Sequence, residues 1–227
     1  MTSTPAGTPG PHVFVDSLDA MHLADDDLAH LGKSLRMRDG DSLTASDGQG
    51  NWRPAIYSST GWLDADGDIV SVAARPQPVT VAFSLVKGSK PELVIQKLTE
   101  LGVDNIVVLA AERSVVKWDE EKVSKAKLRW QRIVGEAAMQ SHQVRLPGVQ
   151  AVVPALEWLA KPEVAIAHFG GATIGATHHS VAIGPEGGWS DSELGMCDQS
   201  VSLGSTVLRA ETAAIAAATL LTASAAH

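Results

Sequence analysis

One cysteine, Cys197, in 227 residues rules out an intrachain disulfide framework and any cysteine-based metal site. A small core side chain after Gly188 is its expected role. Long apolar runs are missing too. The least polar stretch, Ala213 to Leu221, is too short and too rich in alanine to cross a bilayer. No basic-then-apolar leader opens the sequence, so a cytoplasmic protein with no membrane partner is expected. Positive charge is scarce: 18 Lys and Arg stand against 26 Asp and Glu, a net charge of −8. This argues against broad electrostatic binding of nucleic acid and leaves a local basic patch open. Neither G-x-G-x-x-G nor a P-loop with its Lys-Ser/Thr occurs, which argues against common dinucleotide and nucleoside triphosphate sites. His178-His179 lacks an acidic or cysteine partner at ligand spacing, so no metal site is expected.

What is present is concentrated near the C-terminus. Val181-Ala-Ile183 reads as a buried strand, stopped by Gly184-Pro185 and Gly187-Gly188. Ser190 with Glu193 three residues on is a capping box that starts a helix. Val201-Ser-Leu-Gly204 repeats the pattern, and an Ala-rich helix follows from about Leu208. Two glycine-ended strands side by side give a crevice of the kind where open α/β sheets bind ligands.

Residues 1–10 read as a disordered tail. Residues 11–75 hold short strands at about Ser42–Ala45, Trp52–Tyr57 and Ile69–Ala73, with Gly and Asp turns between them. Such spacing predicts a small β-barrel, with a helix over Leu28–Leu35 preceded by Asp25, Asp26 and Asp27. Arg75-Pro-Gln-Pro78 is the linker. From residue 79 to 227 strands alternate with helices, which predicts a parallel sheet covered on both faces. Its strands fall at Val79–Val86, Asn105–Leu109, Val164–Ala167, Val181–Ile183 and Val201–Leu203, and a long helix spans Lys122–Gln140. Ser89 and Glu92 form a second capping box, and Gly102 closes that helix.

Several charged residues admit two readings. Lys33, Arg36 and Arg38 form either a solvated helix end or a phosphate-contacting strip that Lys87 and Lys90 extend. Arg113, just past a strand end, either pairs with Glu112 or meets a ligand. His142 and Arg145 follow the long helix, as a C-terminal cation or a phosphate contact. Trp189 is either buried or lies over a bound base. Glu211 suits helix capping. Arg209 opposes the helix dipole there, which points to a partner, either a carboxylate such as Glu186 or an anionic substrate.

Gly184-Pro-Glu-Gly-Gly188 followed by Leu203-Gly-Ser-Thr-Val-Leu-Arg-Ala-Glu-Thr-Ala213 resembles the SPOUT class of RNA methyltransferases. Within it the chain is most similar to the RsmE family, bacterial enzymes that methylate N3 of a uridine in small-subunit (16S) ribosomal RNA. Matching segments run through the chain: His30-Leu-Gly-Lys-Ser-Leu-Arg-Met-Arg-Asp-Gly-Asp41, Lys97-Leu-Thr-Glu-Leu-Gly-Val103, Glu112-Arg-Ser-Val115, Arg129-Trp130, Glu136-Ala-Ala-Met-Gln140 and Arg145-Leu-Pro147. The resemblance implies a PUA-like barrel for RNA contact, a C-terminal α/β domain tied in a trefoil knot, and a homodimer. It implies S-adenosylmethionine held by Phe169, Ile183, Gly184, Pro185, Glu186, Gly187, Gly188, Leu203, Gly204, Ser205, Val207 and Leu208, with His168 and Gly170 beside Phe169. RNA contacts fall to Lys33, Arg36, Arg38, Lys87 and Arg113. Arg209 and Glu211 become the catalytic candidates: Arg209 to stabilise charge on the uracil oxygens, Glu211 or a hydroxide to take the N3 proton. Three departures stand out. His12 replaces a frequent arginine, Ser205-Thr206 a frequent Pro-Arg, and Ala210 a frequent threonine. A transfer-RNA methyltransferase of the same class and a non-catalytic RNA-binding protein are the alternatives. A nucleotide-dependent oxidoreductase is disfavoured by the missing G-x-G-x-x-G.

Overall fold

The structure is a computed structural model that describes residues 4–88 and 90–225. Part of the expected tail, and Ser89 of the expected second capping box, lie outside the described residues; residues 4–10 form turns and bends. The chain divides into two compact units, residues 4–74 with 135–146, and 75–134 with 147–225. Segment 135–146 groups with the smaller unit, whereas the sequence expectation kept it in the larger domain.

The smaller unit comprises β1 (His12–Phe14), α1 (Asp25–Ala29), β2 (Ser42–Ser46), β3 (Asn51–Ile56), β4 (Asp64–Ala65) and β5 (Val70–Ser71). β1 pairs parallel with β2, and β3 pairs antiparallel with β2, β4 and β5. The helix begins at Asp25, earlier than Leu28, because the three aspartates occupy its first turn and meet the positive end of the dipole. It runs into a π-helical turn over His30–Ser34, and Arg36, with φ 57°, ends it. Val13, Leu23, Leu31, Leu43, Ala45, Ala55 and Tyr57 fill the core. Each large aliphatic there contributes about 1.5–3 kcal/mol by leaving water.

One polar cluster is buried in this unit. The register sets His12 opposite Thr44 and Phe14 opposite Ser46. The His12 ring bonds Thr44 Oγ1 at 2.8 Å through Nδ1 and Ser46 Oγ at 2.9 Å through Nε2. It stacks on His142 at 5.7 Å between ring centroids. His12 therefore faces the interior rather than an RNA. Arg145 is spent structurally as well: its Nη2 donates to the Val72 carbonyl at 2.7 Å, and a side chain at Gly50 would collide with its guanidinium.

The larger unit contains β6 (Thr80–Ser84), α2 (Lys90–Glu100), β7 (Asn105–Ala110), α3 (Glu120–Gln140), β8 (Gly148–Pro154), α4 (Ala155–Leu159), β9 (Val164–Thr173), β10 (Ser180–Ile183), α5 (Asp191–Leu194), β11 (Gln199–Ser202) and α6 (Ala210–Ala225). The last residues of α3 belong to the smaller unit's grouping. The six strands form one parallel sheet in the order β11-β9-β10-β6-β7-β8. Strand alternation sends Val81, Phe83, Ile106, Val108, Val181 and Ile183 to one face, against Val94, Ile95 and Leu98 of α2, Trp130 of α3 and Ala214, Ala217 and Leu221 of α6. Ala82, Val107, Leu109, Val164, Ile166 and Ala182 face the other side, against Trp158 and Leu159 of α4. β6, β7 and β10 are buried on both sides, which is why each reads as an apolar run. β8 and α4 are additions to the sequence expectation, since β8 is only half-buried along its length and carries no clean alternation. No helix among the described residues is long and apolar enough to cross a membrane.

Burial, reinforced by His142, lowers the His12 pKa from 6.5 to about 4. The neutral ring is thus the folded form. Stability is fully present above about pH 6.5 and is lost as pH falls toward about 4, by on the order of 3 kcal/mol. Urea denaturation at pH 7 and pH 4.5 should show a larger loss for the wild type than for His12→Gln. Equal losses would mean that His12 is not the titrating group.

Candidate functional site

The site grows from the ends of three neighbouring strands. β10 is wholly apolar after Ser180 and stops because Pro185 has no N–H for the ladder. A tight turn follows, with the Gly188 N–H donating to the Pro185 carbonyl at 2.8 Å and Gly188 at φ 72°. Ser190 then caps α5 as the spacing predicts. Its Oγ accepts from the Glu193 N–H at 3.1 Å, and Glu193 Oε2 accepts from the Ser190 N–H at 2.8 Å. Gly184 is required for packing: a Cβ there would lie 2.9 Å from the Trp189 ring. Trp189 is accordingly buried, and it lines the wall of the cleft described below.

Glu193 does more than cap. It is fully buried, and its Oε1 accepts from the Glu112 N–H at 2.9 Å. That bond fastens the segment after β7 to the loop after β10. Arg113, next along, donates from Nη1 to the Trp189 carbonyl at 2.9 Å. Glu112 accepts from Ser192 Oγ at 3.2 Å rather than pairing with Arg113.

The second loop leaves β11 through Ser202, whose Oγ donates to the Gly204 carbonyl at 3.0 Å. Gly204 has φ 147° with nothing near its Cβ position. The third loop comes from β9. Ser200 pairs with Ile166 but Val201 pairs with Ala172, so residues 167–171 arch out of the sheet. Gly171 permits this, because a Cβ there would strike the Val201 backbone at 2.7 Å.

These loops enclose a cleft of about 500 Å³. Its walls include Phe169, Ile183, Gly184, Pro185, Glu186, Gly188, Leu203, Gly204, Val207 and Leu208, all expected from sequence. His168 lines it too. Gly187 and Ser205 are not among the lining residues, and Gly187 faces Arg113 instead. Arg113, expected at an RNA surface, lines the cleft. Thr206, within the expected stretch Gly204 to Leu208, lines it as well, whereas the sequence expectation did not include Asp191, Leu194, Ser202 and Ala213, which contribute mostly by position in the fold. A second cavity of about 380 Å³ opens among Leu85, Val116, Trp118, Val152, Pro154 and Leu156, without glycine loops.

Charge at the mouth is organised by one lysine. Lys90 Nζ lies 3.3 Å from Glu186 Oε1 and 3.1 Å from Glu211 Oε1. Glu186 is therefore not the partner of Arg209, which is exposed and makes no side-chain hydrogen bond or ion pair within 4 Å among the described residues. The backbone N–H of Glu211 itself, then Lys90 and Arg209, hold its carboxyl below the usual range against the opposing effect of burial. Glu211 Oε2 is buried with no hydrogen-bond partner. Lys33, Arg36, Arg38 and Lys87 are exposed on their own units. Among the described residues no group of three His, Cys, Asp or Glu side chains is placed to hold a metal ion.

A parallel α/β sheet with a glycine-walled cleft at its strand ends defines a ligand-binding α/β domain. A family model described as an RNA methyltransferase domain matches residues 73–222, and one described as an RNA methyltransferase PUA domain matches 23–61. Ribosomal RNA small subunit methyltransferase E of Synechocystis is 35% identical over 207 residues, 82% of this chain and 67% of that protein. The Mycobacterium bovis protein of the same name is 32% identical, covering 90% of this chain and 88% of its own. Among solved structures, a Legionella pneumophila methyltransferase in complex with the bound cofactor SAM shares 28% identity, with TM-score 0.80 over 95% of this chain and 98% of that one. Ribosomal RNA small subunit methyltransferase E from Neisseria gonorrhoeae, bound to S-adenosyl methionine, gives 27% and 0.76 over 92% and 95%. The chain belongs to the ribosomal RNA small subunit methyltransferase E family of RNA methyltransferases.

Removing the Glu193 carboxylate leaves the buried Ser190 N–H and the part-buried Glu112 N–H without this acceptor, and bonds to a charged group contribute about 1.5–3 kcal/mol each. Glu193→Ala should lower stability by about 3 kcal/mol or more in urea titration, and Glu193→Gln by less. A loss under about 0.5 kcal/mol would show that the tie is not structural.

Proposed function

We propose that this protein transfers the methyl group of S-adenosylmethionine to N3 of a uridine in small-subunit ribosomal RNA. The observation that carries this is the cleft itself, bounded by two glycine-ended loops and the 167–171 arch, with exposed Arg209 standing in the chain between the lining residues Leu208 and Ala210. Its volume suits a ligand of this size. Ile183, Leu203, Val207 and Leu208 offer apolar walls for an adenine ring. Gly184, Gly188 and Gly204 let polar backbone come close, and Asp191 offers a carboxylate to hydroxyl or ammonium groups. The family's SAM-bound relatives support the same occupant.

When bound, S-adenosylmethionine supplies a methyl group on a positively charged sulfur, already activated for transfer. The protein's part is then to hold the acceptor in line and to favour its anion. Arg209 is exposed and uncommitted, so its guanidinium is free to stabilise the negative charge on the uracil oxygens as the N3 proton leaves. Glu211 is an unsuitable proton acceptor: Lys90 occupies one oxygen and the other is buried. Hydroxide is the better acceptor, and Glu211 serves to hold Lys90. Arg113, bound to the Trp189 carbonyl, shapes the cleft wall and is reassigned from RNA contact. RNA affinity falls to exposed Lys33, Arg36, Arg38 and Lys87. We assign a homodimer acting in the cytoplasm; Phe169, 65% exposed, and Val207, 88% exposed, leave apolar surface beside the cleft for a partner.

Calorimetry should show S-adenosylmethionine binding and no NAD binding, and mass spectrometry should place the methyl on uridine N3 of small-subunit RNA. Arg209→Ala should slow single-turnover methylation at saturating cofactor and RNA by on the order of 10²-fold, with cofactor affinity unchanged. A normal rate would remove Arg209 from the chemistry.

Replacing Arg36 and Arg38 with glutamate should weaken RNA binding and flatten its salt dependence. Unchanged binding would move the RNA surface elsewhere.

A further inference from the structure

We propose that Lys90 is a positioning residue of the cleft: clamped between Glu186 and Glu211, its ammonium fixes the spacing of the two loops that hold the cofactor. This rests on the assignment of the cleft to S-adenosylmethionine. The two carboxylates come from separate pieces of chain. Glu186 sits in the loop after β10, and Glu211 in the first turn of α6, directly after the loop that follows β11. Nothing in the sheet couples those loops directly, since β10 and β11 are both paired to β9 and not to each other. Lys90, at the start of α2, reaches both from the adjacent helix. It is the one described residue whose ion pairs join them.

The surroundings make the clamp specific. Glu92 lies on the same turn of α2 but is engaged by Arg129, at 3.4 Å from Nη1 to Oε1. Arg209 adds positive charge near Glu211 without contacting Glu186. Glu211 has its second oxygen buried and unpartnered, so it depends on Lys90 for external compensation. The Glu211 carboxylate first, and Glu186 with it, hold the Lys90 ammonium above the usual lysine range. Without Lys90, the Glu211 carboxylate keeps only its own N–H and Arg209 against burial, and no charge spans the two loops.

The test is calorimetric binding of S-adenosylmethionine and S-adenosylhomocysteine to the full chain at pH 7. Lys90→Met should weaken both ligands about tenfold. Lys90→Arg, which keeps the charge, should restore affinity to within about threefold. Glu186→Gln removes one arm from the other side and decides the matter if Lys90→Met fails to fold; it should weaken binding, and more so at low salt, where the exposed pair is strongest. Wild-type affinity in Lys90→Met or Glu186→Gln, with normal binding by the wild type, would overturn the positioning role alone. No binding by the wild type would overturn the cleft assignment and this proposal with it.

Discussion

The larger unit depends on β10. This four-residue strand is buried on both faces and hydrogen-bonded on both edges, with Ser180 to Ile183 in register with Thr80 to Phe83 of β6 and its first three residues in register with Val164 to Ile166 of β9. A strand so placed has no freedom to slide, because a one-residue slip would turn Val181 and Ile183 out of one core and Ala182 out of the other. The point at which it stops is therefore fixed, and Gly184 and Pro185 deliver the chain to the C-terminal edge of the sheet. The cleft forms where β10, β11 and the broken top of β9 all end together.

The ligand-side geometry follows from how those ends are tied. Glu193 fastens the loop after β10 to the segment after β7, and Lys90 links it to the start of α6. The first tie ends on a fully buried carboxylate; the second is partly exposed. Rigidity is thus concentrated on the Trp189 side of the cleft, while the Phe169 and Val207 rim is exposed. Under the proposed function, such an arrangement would set a preorganised wall against the cofactor.

Much of this was legible locally. β-branched runs ending in glycine gave β10 and β11, and the Ser190–Glu193 spacing gave the cap, because both signals lie within a few residues. The same sequence could not reveal that Glu193 also accepts from Glu112, 81 residues away, or that Lys90 rather than Arg209 meets Glu186. Those are consequences of topology. β8 and α4 escaped notice because an only half-buried strand lacks strict alternation. Gly187 was expected to line the cleft on the strength of its neighbours, but the turn at Gly188 directs it toward Arg113. His12 illustrates the converse: a titratable side chain in a strand of the smaller unit is satisfied by Thr44 and Ser46, and only the strand register discloses it.

Hydrogen–deuterium exchange with and without S-adenosylmethionine tests the central claim, that the cleft at the ends of β9, β10 and β11 holds the cofactor. Protection is expected in residues 167–171, 183–189 and 202–210, with little change around the second cavity at 114–118 and 152–156. Protection confined to that second cavity, with the glycine loops exchanging as before, would contradict it.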